Sequence, residues 1–183
     1  MVLSIPENIR IEVWSFLKEN NIGQRSKANG NKVEQYVGLL GEVMVKKHLG
    51  IACELQSGFD DGFDLMYKNK KIDVKTMGRK VYPKPNYVNN FISYQKDFDC
   101  DAYIFCSLNK MNYDLTICGW VSKTQLFERG SLYDKGTTRV RTDGSTFELK
   151  APTYEIENNQ LNNIKTLIDA KRTNEPRPKR RMG

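Results

Sequence analysis

The sequence predicts an α/β domain whose mixed central β-sheet is flanked by helices. Two observations lead there. The chain has 183 residues, 39% hydrophobic and 28% charged, which is the size and balance of one globular core. Its apolar positions also switch along the chain between a helical and a strand period, without internal repeats. A disordered or collagenous chain is excluded by that composition. The longest apolar runs, Val43-Met44-Val45 and Ala102 to Cys106, are far shorter than a membrane span, and the N-terminus carries no basic-then-apolar leader, so a soluble cytoplasmic protein is expected.

Each element has a local cause. Ser4-Ile5-Pro6-Glu7 reads as a capping box opening a helix through Ile9, Val13, Phe16 and Leu17, which stops near Asn20-Asn21. A polar loop, 23–31, precedes a second helix from about Lys32 to Leu49, with Gly50 as its stop signal. Val33, Val37, Leu40 and Met44 form one apolar stripe of that helix, whereas Glu42 falls beside Leu39, Val45 and Leu49. A carboxylate among aliphatic groups needs a basic side chain or a metal as partner. Asp101 to Leu108 and Asp114 to Val121 read as buried strands, and Ser122 caps a short helix. Thr137 to Lys150 reads as a hairpin turning at Asp143-Gly144. Tyr154-Glu155-Ile156 leads into a last helix through Leu161, Ile164, Leu167 and Ile168, and Trp120 is expected in the core.

The net charge of +7 is unevenly spread: the last thirteen residues, Lys171 to Gly183, hold six basic side chains and one acidic, which leaves the preceding 170 residues at +2. That tail is expected to be disordered. It suits contact with a polyanion, although solubility or a vector-derived remnant would produce the same run. Cys53, Cys100, Cys106 and Cys118 form no Cys-x-x-Cys pair and His48 is the only histidine, so neither zinc nor a Cys–His nucleophile is expected.

The most informative segment is Gly58 to Lys75. Two alternating runs flank Asn69-Lys70, and Asn tolerates the positive φ that a two-residue hairpin turn requires. With the turn there, Lys68 opposes Lys71, Met66 opposes Asp73 and Asp64 opposes Lys75. One face then carries Leu65, Tyr67, Ile72 and Val74, and the other Asp64, Met66, Asp73 and Lys75. Two carboxylates from neighbouring strands suit Mg²⁺, which keeps water and accepts a phosphate oxygen, and an ammonium beside them stabilises developing charge. The plainer reading is a surface hairpin with one cross-strand ion pair, worth at most ~1 kcal/mol.

Glu42 on a helix, Asp64 on the next strand and Asp73-Val74-Lys75 on the one after resemble the PD-(D/E)XK nuclease superfamily of restriction endonucleases, phage nucleases and Holliday-junction resolvases. The resemblance covers roughly 32–108. It implies a restriction-endonuclease-like core, with Asp64 and Asp73 as metal ligands, Lys75 orienting or activating the attacking water, and Glu42 at the metal or its waters. Phe63 stands where a proline often precedes the first aspartate, which leaves Asp60 or Asp61 open as the ligand, although hairpin parity favours Asp64. Gln95 is the candidate for a glutamine that approaches the site in many relatives. The resemblance further implies a phage- or bacterium-encoded Mg²⁺-dependent DNA endonuclease (Mn²⁺ as a substitute), with one domain over 1–170: an N-terminal helix and loop (1–31), a motif-bearing core (32–108) and C-terminal strands and helix (109–170).

After the Asp-x-Lys strand, the segment Met77 to Tyr87 interleaves basic and aromatic residues, and Pro83 and Pro85 keep it out of a helix or central strand. Arg79, Lys80 and Lys84 are candidates for phosphate contacts, Tyr82 or Tyr87 for stacking, and Arg139 and Arg141 for a second basic face. Duplex or branched DNA is the expected partner, with RNA open, and a homodimer would allow both strands to be cut. The competing readings are a non-catalytic nucleic-acid-binding protein and a virion or assembly protein.

Overall fold

The computed structural model describes residues 1–22, 30–55, 62–141 and 144–169. Asp60, Asp61, the turn residues Thr142 and Asp143, and the basic tail lie outside them, as does most of the expected loop before the second helix. The fold is mixed α/β. A five-stranded sheet runs in the order β1 (Val2–Ser4), β6 (Asp114–Ser122), β5 (Ala102–Asn109), β3 (Lys70–Arg79), β2 (Leu65–Tyr67). Only β3 and β5 pair in parallel; the other neighbours are antiparallel. A three-stranded sheet of β4 (Val88–Ile92), β10 (Thr153–Glu157) and β7 (Ser131–Tyr133) and a hairpin of β8 (Thr138–Val140) and β9 (Thr146–Glu148) complete the strands.

The main sheet is covered on both faces, which is why β5 is buried at every residue. On one side Ile72, Val74, Ala102, Ile104 and Leu108 pack with residues of α1 (Glu7–Glu19), α2 (Lys32–His48) and α4 (Ile164–Asp169). On the other, Tyr103, Phe105 and Val121 join Phe91, Ile156 and Leu126 of the smaller sheet and of α3 (Lys123–Arg129). The Tyr103 ring meets Phe91 edge-on at 4.8 Å. Trp120 is half-buried against the first core and donates through Nε1 to Thr166 Oγ1 at 2.9 Å. No helix among the described residues is long and apolar enough to cross a membrane.

Several elements differ from the sequence expectation. Ser4 does not cap α1: it ends β1, paired with Asp114, and the helix starts after Pro6 without a side-chain cap. Pairing with β6 outcompetes the local signal. The capping box belongs to α2, where Asn31 Oδ1 accepts from Glu34 N at 3.0 Å and Glu34 returns the bond to Asn31 N at 2.8 Å. Val33 is 55% exposed and lies outside the buried stripe. β3 continues to Arg79, so the Pro-containing loop begins three residues later than the expected Met77. Gln95, whose element the sequence left open, lies on a 3-10 turn, Ser93–Asp97. Tyr154-Glu155-Ile156 forms the middle strand of the small sheet, paired with both β4 and β7, before a separate, short α4.

The close approach of α2 to β3 depends on Gly41. A Cβ added there would fall 1.9 Å from Thr76 Oγ1 and 2.9 Å from Thr76 Cβ, whereas one at Gly38 meets nothing within 4 Å. Ala in a helix ordinarily gains about 1 kcal/mol over Gly. Gly38→Ala should therefore raise stability by up to that amount, and Gly41→Ala should lower it by roughly 1–3 kcal/mol through overpacking. Urea unfolding of the two variants beside the wild type checks the opposite signs.

Candidate active site

The β2–β3 turn sets the site's geometry. Lys68 and Asn69, with φ of 49° and 64°, form it, the paired positive values of a type I′ turn that matches strand twist. Tyr67 then pairs with Lys70, Met66 with Lys71 and Leu65 with Ile72. This register is displaced by two residues from the one expected with the turn at Asn69-Lys70. A displacement of two keeps every side chain on its face. Leu65, Ile72 and Val74 remain in the core, Asp73 and Lys75 share the other side of β3, and Asp64, just before the paired residues of β2, lies within electrostatic reach of both.

Asp64 is fixed by two backbone contacts: its N–H donates to Ile72 O at 2.9 Å, and its Oδ2 accepts from Val74 N at 2.6 Å. The residue keeps a partly exposed edge while its carboxyl group is crowded by protein. That desolvation, with the nearby charges of Asp73 and Glu42 added, holds the Asp64 carboxyl well above the usual carboxylate range, against the opposing influence of Lys75 and the Val74 hydrogen bond. Asp73 Oδ2 is 2.7 Å from Lys75 Nζ, and the two side chains are 8% and 20% exposed. Glu42 is half-buried, as its helix position implied, and its partner is Lys46 one turn later on α2. The sequence reading missed Lys46, although the i, i+4 spacing was available to find it. Among the described residues Glu42 thus pairs with Lys46 and Asp73 with Lys75, while the Asp64 carboxyl resists ionisation beside them.

Asp73 pairs across the parallel ladder with Tyr103, whose buried hydroxyl has no hydrogen-bond partner. Phe63, in the position before Asp64, lies under Lys71 Nζ at 5.2 Å from its ring centre. Lys71 also pairs with Asp99, and its backbone N–H donates to Asp101 Oδ2 at 2.8 Å, which ties the hairpin to the start of β5. Among the described residues no three His, Cys, Asp or Glu side chains form a ready metal cage. The neighbouring Asp64 and Asp73 carboxyl groups still offer the donor type Mg²⁺ uses, since that ion usually takes one or two carboxylates and fills its octahedron with water and phosphate oxygens. The four cysteines are free. Burial pushes the Cys100 and Cys118 thiols up to about 11 and the Cys106 thiol well up also, which makes them poor nucleophiles.

The candidate basic residues divide into two groups. Arg79 is built into the fold: Nη2 donates to Val88 O at 2.6 Å and the guanidinium stacks 5.0 Å from the buried Tyr87 ring, with burial lowering its pKa. Arg139 makes a bidentate pair with Glu155, Nη2 to Oε2 at 2.6 Å and Nε to Oε1 at 3.0 Å, and lies 4.0 Å over Tyr133. Arg141 lies 4.3 Å over the Phe147 ring and donates to Ser145 Oγ and Thr146 O at 3.4 Å. Lys80 and Lys84 are exposed, and Tyr82 is 47% exposed with its hydroxyl 2.5 Å from Asp114 Oδ2. Gln95 is half-buried on its 3-10 turn before β5. Comparisons of the chain with protein-family models, with curated proteins and with solved structures return no match.

The Asp64 shift has a sign that can be read as stability. Its folded pKa is raised, so its contribution is fully present below the unfolded value of 3.8 and is lost as pH climbs through the folded value. In chelator, the wild type should lose thermal stability relative to Asp64→Asn as pH rises from about 4 towards 8, because the amide keeps the acceptor for Val74 N–H without the charge. Parallel melting-temperature curves for the two proteins across that range would refute the buried-carboxylate account.

Proposed function

We propose that this protein is a metal-dependent endonuclease that hydrolyses DNA phosphodiester bonds, on a restriction-endonuclease-like core. The observation that carries the reading is the proximity of the Asp64 and Asp73 carboxyl groups, with Lys75 held against Asp73. Its support from the chain is the order of parts: a glutamate on α2, an aspartate beside β2 and Asp-x-Lys on β3, all within electrostatic reach of Asp64.

Asp64 and Asp73 would hold Mg²⁺ or Mn²⁺. The ion, when bound, supplies a lowered pKa for a coordinated water and neutralisation of phosphate charge. It would also oppose the rise of the Asp64 pKa, which burial causes first and the Asp73 and Glu42 charges add to, because a cation favours the ionised carboxylate. The chain's own groups do the remaining work. Lys75, held against Asp73, would place its positive charge near the entering water or the phosphate oxygen where negative charge builds. Glu42, itself held by Lys46, sets the local potential that favours cation entry. Water oxygen bonds to phosphorus and gives up a proton to solvent, the bridging P–O bond breaks, and the leaving oxygen takes a proton from solvent.

A second reading is favoured by one observation: both Asp73 and Glu42 already have lysine partners, as they would in a structural ion-pair network of a non-catalytic DNA-binding protein. Nicking of supercoiled plasmid separates the two. With Mg²⁺ or Mn²⁺ the wild type should cleave, with chelator it should not, and Asp73→Asn and Lys75→Ala should each fall at least about 100-fold, the scale of losing one stabilising donor or ligand. Melting temperatures near wild type would show that the variants fold. Chelator-insensitive binding without cleavage would leave the second reading standing and remove the first.

A further inference from the structure

Resting on the nuclease reading, one surface indicates what kind of substrate it takes. The chain leaves β3 at Arg79 and enters a loop that is tied down along its length. Tyr82 OH lies 2.5 Å from Asp114 Oδ2 and accepts from Asn112 Nδ2 at 2.9 Å. Asn158 Nδ2 donates to Lys84 O at 2.8 Å, Asn159 N to Pro85 O at 2.8 Å and Asn158 N to Tyr87 O at 3.0 Å. The turn between β5 and β6 closes on the same end: Lys110 N donates to Arg79 O at 2.8 Å, and the Lys110 stem lies against Gly78, where an added Cβ would be 3.3 Å from its Cδ. Rigid backbone therefore presents three exposed lysines, Lys80, Lys84 and Lys110, at one end of β3. The nearby acid Asp114 is engaged by Tyr82 and Asn112.

We propose that Lys80, Lys84 and Lys110 are a phosphate footprint for duplex DNA, read by backbone and not by sequence. Lysine is a point charge that positions phosphates without reporting base identity. Single-strand binding would need several aromatic platforms, and this loop keeps one: Tyr87 is buried beneath Arg79, which leaves Tyr82 alone.

The test is fluorescence anisotropy of a labelled 20-base-pair duplex in chelator, titrated with full-length wild type and with Lys80→Ala/Lys84→Ala/Lys110→Ala over a range of salt. Each phosphate contact contributes about 0.9 to the slope of log affinity against log salt, so the triple variant should be shallower by about 2.7. Between 50 and 200 mM salt the wild type should then lose about 40-fold more affinity than the variant. Scrambling the duplex sequence should change the dissociation constant less than about twofold, and single-stranded DNA or RNA of equal length should bind more weakly. An unchanged slope, absent duplex binding, strong sequence dependence, or tighter binding of a single strand would each overturn the footprint. Asp73→Asn serves as the separate control: if it keeps the wild-type slope and plasmid cleavage fails throughout, the nuclease reading falls while the footprint remains.

Discussion

The contact between Gly41 and Thr76 governs the distance between α2 and β3, and most of the molecule is arranged around that distance. β3 is paired on both sides, antiparallel to the short β2 and parallel to β5. Its Val74 and Thr76 side faces α2, so its Asp73 and Lys75 side is turned to the opposite face of the sheet. Were the helix pushed out by a methyl group, the aliphatic layer of Leu40, Val43 and Ile72 would open and Glu42 would move away from Asp64. Packing and electrostatics at the site are therefore one constraint.

That constraint explains why charge is kept where water is scarce. A carboxylate crowded by protein would ordinarily be neutralised by a partner, and here Asp73 and Glu42 each have a lysine while Asp64 relies on a backbone N–H. Neutral surfaces around the site do not relieve it: Cys100 and Tyr103 are themselves buried, and both ionise only above their ordinary range. The imbalance is local and costs stability, a pattern that occurs where a site is shaped for a ligand and not for rest.

What the sequence disclosed, and what it hid, follows from the range of each interaction. The two faces of the β2–β3 hairpin were legible because side-chain alternation is a property of the strand itself. The register was not, because it depends on whether Lys68-Asn69 or Asn69-Lys70 takes the positive φ values, and both dipeptides contain the same permissive Asn. Ser4 carried a good helix signal and still became strand, since the competing partner, β6, lies more than a hundred residues away. Tyr154 was misplaced for the same reason: the short strands of the small sheet exist only through their neighbours. The basic residues show the limit most plainly. Arg79 and Arg139 read as ligand-binding groups until tertiary partners, Val88 O and Glu155, are known, and Lys110 gave no signal because its proximity to Gly78 is created by the fold.

One contact described by position alone has a temporal meaning. β1 pairs with β6, and the turn residue Lys68 hydrogen-bonds through Nζ to Ile168 O at the end of α4. Elements far apart in the sequence are thus closed on one another. Such non-local closure slows folding and delays it until both partners are available. During translation, α2, β2 and β3 would leave the ribosome with every candidate site residue from Glu42 to Lys75 already present, yet without the β5 ladder that holds Asp73 or the α4 end that holds the turn. The geometry on which the proposed chemistry depends would be completed only once β5 and α4 have also emerged, so that a shorter nascent chain carries the residues of the site without its arrangement.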